Sequence, residues 1–206
     1  MKSKSVLVSA GGILCLLTLA GCPPAPAPDP KTGEVVALSP QDLNKAPYDV
    51  GEIILIGTTV PSTIKHESDS KGFTLTSLME DGQAYEIENY ESDASSLKFK
   101  GTDTEAFDPA IPLLTLPFHA PDQWTWSGKM TLAGKTFVAS ATAASVKETL
   151  NAAGGPYETV KVTLELSFKG TQAKRKLTFW LSKDAGIVKR DFAQSSTRQP
   201  ASEKEE

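Results

Sequence analysis

A chain of 206 residues with 21 basic and 25 acidic side chains carries a formal net charge of -4, and 39% of it is apolar. That length holds one domain with a real core and not two comfortable ones. The mild acidity argues against nucleic acid as a bulk-charge partner.

The chain opens on a short basic head, Lys2 and Lys4, followed by an uncharged run, residues 6–20. About fifteen apolar or small residues suit the core of a signal peptide and are short for a membrane span of about twenty. The run ends at Leu19-Ala20-Gly21-Cys22, where polarity changes abruptly. An ordinary secretory site needs no thiol, whereas a thiolate is the nucleophile that forms a thioether. This step resembles the bacterial lipobox, in which the cysteine receives a diacylglycerol and the chain is cut just before it. The resemblance implies cleavage between Gly21 and Cys22 and a lipid anchor on Cys22. One acyl chain holds a protein only marginally, and two or three hold it stably at the bilayer.

Removal of residues 1–21 takes Lys2 and Lys4 and no acid, leaving 19 basic against 25 acidic side chains. It also removes Cys15, so the mature chain keeps Cys22 alone. An intrachain disulfide and the multi-cysteine zinc frameworks are thereby excluded. Pro23, Pro24, Pro26, Pro28 and Pro30 follow, a composition for extended polyproline II or plain disorder. Residues 22–45 are expected to be a proline-rich linker, with a short helix from Pro40 to Lys45 capped by Ser39. Pro23 directly after the cysteine, in place of an aspartate, implies by the same resemblance the outer membrane if the host is Gram-negative.

From residue 46 to 193 the dominant period is two, that of half-buried strands. Residues 51–60 form one expected strand. Residues 72–80 and 84–91 flank the turn Asp81-Gly82-Gln83, and 97–100 is short. Residues 102–124 hold Pro109, Pro112, Pro117 and Pro121 among large apolar side chains. Proline removes ladder donors, so this segment is expected to be irregular and to cover one open side of the sheet. Residues 124–132 and 135–144 flank Ala133-Gly134. Residues 142–155 read either as a helix ended by Gly154 or as an extension of the preceding strand, and the alternation through Ala139, Ala141 and Ala143 favours the strand. Val160, Val162, Leu164, Leu166 and Phe168 alternate with polar residues, and Leu177, Phe179 and Leu181 repeat the pattern after Gly170-Thr171-Gln172. Residues 186–192 close the set. The fold class is mainly β: a curved antiparallel sheet or partly open barrel, with one or two short helices or a covering loop segment. Residues 194–206 are polar and charged, the composition of a solvated tail.

A longer pattern spans residues 110–192. It begins with an apolar approach to Pro117-Phe118, continues through Trp124-Thr125-Trp126 and Gly128, and then Gly155-Pro156-Tyr157-Glu158-Thr159-Val160. It ends with Thr178-Phe179-Trp180-Leu181 and Gly186-Ile187-Val188-Lys189-Arg190. This order resembles the TapB-like lipoproteins and secreted proteins of unknown function. The resemblance implies a fold like that of the LolA/LolB lipoprotein carriers, an unclosed barrel covered on its concave side. It carries over no catalytic residues.

Reactive constellations are sparse. His66 and His119 sit in loop-like contexts, and a metal site would need them to meet an acid such as Glu67 or Asp122. No nucleophile elbow is present, and Gly51-x5-Gly57 lacks the lysine of a phosphate loop. Glu86, Glu88, Glu91 and Asp93 lack calcium-loop spacing and are expected on a solvated face. Trp124 and Trp126 share one strand face and Trp180 lies opposite Phe179; tryptophans there line a ligand cleft or fill a core. No cofactor and no metal is expected. The function expected is that of a non-catalytic, lipid-anchored envelope protein that binds an apolar ligand or an envelope protein. A structural accessory acting by docking is the alternative, ahead of a hydrolase.

Overall fold

The computed structural model describes residues 33–45, 50–55, 58–152 and 155–195. The alternation read from the sequence builds strands nearly everywhere. In chain order they are β1 (Glu34–Val35), β2 (Val50–Leu55), β3 (Thr58–Ser68), β4 (Gly72–Leu78), β5 (Ala84–Ser92), β6 (Ser96–Thr102) and β7 (Glu105–Thr115). There follow β8 (His119–Ala120), β9 (Asp122–Leu132), β10 (Lys135–Ala152), β11 (Gly155–Phe168), β12 (Lys174–Ser182) and β13 (Gly186–Ser195). Among the described residues one short helix, α1 (Pro40–Leu43), interrupts them. Among the described residues the strands form an eleven-stranded antiparallel sheet in the order β13-β12-β11-β10-β9-β7-β6-β5-β4-β3-β2, and a two-stranded ladder of β1 with β8. The sheet is a curled meander, as the fold class anticipated, in which each strand pairs with the next of the sheet along the chain, the two-residue β8 alone lying between β7 and its partner β9.

The curl brings the two halves of the sheet face to face. Phe99 of β6 meets Phe179 of β12 and Phe192 of β13 at ring-centroid distances of 5.3 Å and 5.6 Å. Tyr90, Phe99 and Phe107 form a continuous aromatic row on the inner face. Leu97, Phe99, Ile111, Leu113, Val162, Leu164, Leu166, Leu177 and Phe179 are fully buried around it. Each such side chain contributes about 1.5–3 kcal/mol relative to exposure, and this packing holds the described unit together.

Three expectations are corrected. The run 51–60 is not one strand: it folds back on itself, with Ile53 opposite Val60 and Leu55 opposite Thr58. The proline-rich stretch 102–124 is largely strand. β7 carries both Pro109 and Pro112; it pairs with β6 at Ala106 and again from Ile111 to Thr115, with an irregularity at residues 107–110 that holds Pro109, and it pairs with β9 only from Glu105 to Asp108. Beyond Asp108 no β9 partner calls for the donors that proline lacks, so both prolines are tolerated. The linker, expected to run to Lys45, gives way earlier. Residues 33–45 belong to the packed unit, with Leu38 and Leu43 buried in the main core. The undecided stretch 142–155 is strand through Ala152, and α1 is capped by Ser39 and Asp42 in a reciprocal capping box.

Residues 33–45 act as a strap over one end of the sheet. Val36 donates its N–H to the Phe118 carbonyl at 2.8 Å. The Ser145 hydroxyl donates to the His119 carbonyl and accepts from the Asp122 N–H, which fastens β8 to β10. Lys45 reaches the Lys183 carbonyl at 2.6 Å. Leu38, Leu43 and Phe118 thereby plug this end of the interior.

Candidate functional site

At the other end the interior turns polar. On β5, Glu86, Glu88 and Tyr90 alternate onto the inner face, opposite Ser77, Leu75 and Phe73 of β4. The expectation of a solvated acidic face is corrected here: the period of two holds, but the face is inverted, and Glu88 is only 1% exposed. Tyr90 decides the direction, because its ring stacks on Phe73 at 4.8 Å and packs against Phe99. The carboxylates two and four residues before it must then follow it inward.

Arginines from the far half of the sheet meet these acids. Glu88 Oε1 lies 2.5 Å from Arg190 Nε of β13, and Glu88 Oε2 accepts a 2.5 Å hydrogen bond from the Tyr90 hydroxyl. Glu105 of β7 pairs through Oε2 with Arg175 of β12, and its Oε1 is buried without a hydrogen-bond partner among the described residues. Burial, reinforced by the charge of Glu88 and more weakly by Asp103 and Glu105, pushes the Glu86 carboxyl up to about 7, with Arg190 opposing. Burial beside the Glu88 carboxylate drives the Tyr90 hydroxyl well above its ordinary value. Chemically this set clamps two halves of a sheet and holds one exchangeable proton near neutrality. Sequence reasoning missed it, although Arg175 and Arg190 stand at positions in step with Leu177, Phe179 and Phe192, the one signal that they face inward.

The three tryptophans singled out from sequence are dispersed. Trp124 donates its indole N–H to the Pro112 carbonyl at 3.1 Å, and Trp126 donates to the Pro109 carbonyl at 3.0 Å. Both bridge the seam where β7 and β9 part. Gly128 lies in the same seam, where a Cβ would come within 2.6 Å of the Asp108 carbonyl oxygen. Trp180 is on the opposite face, donating to Glu148 at 2.5 Å and capped by the Lys189 ammonium 5.0 Å from the ring centre. Glu148 also pairs with Lys161, and these bonds hold its carboxyl below the usual range.

The histidines do not converge. His66 contacts the Asn44 side chain at 2.9 Å, and burial lowers its pKa. His119 binds the Gly33 carbonyl through Nδ1 at 3.0 Å. Glu67 pairs with Lys65, Glu91 with Lys100, and Asp93 closes the turn before β6 through Ser95 and Ser96. Among the described residues no group of three metal-ligating side chains assembles. Gly21 and Cys22 lie outside the described residues.

No protein-family model, no curated protein and no solved structure matches the chain.

Proposed function

We propose that the chain is a bacterial envelope lipoprotein held at Cys22, whose β domain works by docking onto another surface and not by catalysis. The anchor rests on the step Leu19-Ala20-Gly21-Cys22 after an uncharged core. The observation that carries the docking reading is the filled interior. A carrier with a curled sheet keeps its ligand against the inner face, but here rings from the two halves are already in contact, Phe99 with Phe179 and Phe192. The polar end adds ion pairs that tie those halves shut. The proposed kinship with TapB-like lipoproteins fits such a role and assigns no catalytic group.

Two measurements on the full chain test this. Cys22→Ser abolishes partition into the detergent phase and the acyl mass on the amino-terminal cysteine. An unmodified Cys22 in the wild-type chain removes the anchor. Native mass spectrometry of gently purified protein shows the acyl mass on Cys22 alone. A second lipid of defined mass, bound non-covalently, replaces docking with carriage.

A further inference from the structure

The strapped end of the domain exposes apolar side chains where the chain arrives from its amino-terminal segment. Val35 of β1 is 59% exposed and Leu116, in the turn after β7, is 37% exposed. With Pro117, Phe118 and Lys183 they line one mostly apolar hollow of about 510 Å³. Lysine stems on such a rim lie along apolar surface with their charge in water. Val35 is not left open by a failure of packing: the backbone on either side of it is pinned, by the β1–β8 ladder and by the Val36 bond to Phe118. The strap therefore holds these side chains outward while burying Leu38 next to them.

Residues 1–32 lie outside the described residues and join the strap at Gly33. Only eleven peptide steps separate Gly33 from Cys22. Even as extended polyproline II they span no more than about 35 Å. An anchor on Cys22 thus holds this end of the domain within that distance of the bilayer that holds the acyl chains. An apolar patch on such a tether meets lipid at high effective concentration, so a contact too weak to bind alone is occupied. We propose that the hollow around Val35 and Leu116 is a membrane-docking face, which seats the strap in the interfacial region of the bilayer. The proposal rests on the anchor at Cys22 and deepens the docking reading by naming the surface.

The test uses the full-length, processed chain in phosphatidylethanolamine–phosphatidylglycerol vesicles. An environment-sensitive fluorophore is placed at Val35→Cys, at Leu116→Cys, and at Val138→Cys as control. Val138 is an equally bare apolar residue, 56% exposed. It lies near the far end of β10, seven residues or about 23 Å along the strand from Ser145, which fastens the strap. The intact mass of each protein is read first. With the acyl mass present, quenchers carried on the lipid chains are expected to remove roughly half of the emission at positions 35 and 116 and little at 138, as for side chains seated about 5–10 Å into the interface. Equal, weak quenching at all three positions overturns the docking face and leaves the anchor standing. A label at 35 or 116 shielded without vesicles, by a second copy or by the chain's own amino-terminal segment, overturns it as well. An absent acyl mass overturns the anchor, and the face with it.

Discussion

Glu86 should make the fold lose stability as pH rises, the reverse of the usual carboxylate. Its carboxyl titrates near 4.5 when the chain is unfolded and at about 7 in the folded protein. Between those values the folded state binds the extra proton, so stability falls with rising pH across that window. Below it both states are protonated and Glu86 contributes nothing; above it both are ionised and the penalty is complete. Unscreened, the gap corresponds to roughly 3 kcal/mol. Partial exposure of the side chain discounts that to about 1–2 kcal/mol. Glu86→Gln removes the ionised form and is therefore expected to stabilise the protein by about 1–2 kcal/mol at pH above 7 and by little near pH 4.5. The assay is urea unfolding of both proteins across this range. His66, its pKa lowered by burial, contributes with the opposite sign and cancels in the difference between variant and wild type. A difference that does not change with pH refutes the placement of Glu86 beside Glu88.

The strap and the seam give further expectations. Leu43→Ala empties a fully buried position on α1 and should cost about 2–5 kcal/mol in chemical denaturation. A loss below that range would mean residues 33–45 do not close the core. Trp126→Phe keeps one aromatic ring but removes the pyrrole ring with its donor to Pro109, at a cost of about 1–3 kcal/mol; calorimetry showing no loss would remove the indole bridge from the account. Gly128→Ala forces a methyl against the Asp108 carbonyl and should destabilise by at least about 1–3 kcal/mol, measured by thermal unfolding, with neutrality counting against the close approach of β7 and β9.

The strands were legible because alternation is a local property. Val160 to Phe168 and Leu177 to Leu181 show their faces without reference to any partner. Ser39 as the helix cap was legible for the same reason, while the return bond from its N–H to Asp42 emerged only with the structure. What stayed hidden depends on distant chain. Pro109 and Pro112 argue against a strand until it is known that β7 has lost its β9 neighbour there. Glu86 and Glu88 look solvated until Arg190, about a hundred residues later, is brought to them by the curl. The tryptophan spacing was visible but its use was not, because the acceptors are backbone carbonyls that carry no sequence signature.

The meander has a consequence for a chain delivered from its amino end. Every ladder of the large sheet joins strands that follow one another, with only the two-residue β8 intervening. Such a sheet grows hairpin by hairpin as chain emerges, with little loop-closure entropy at each step. The bonds that shut the interior obey a different schedule. Arg175 is 70 residues beyond Glu105, and Arg190 arrives on β13, the last strand among the described residues. Until β12 and β13 appear, β4 to β7 display an aromatic row and buried-to-be carboxylates to water. A truncation at residue 173 makes that open, adhesive intermediate permanent.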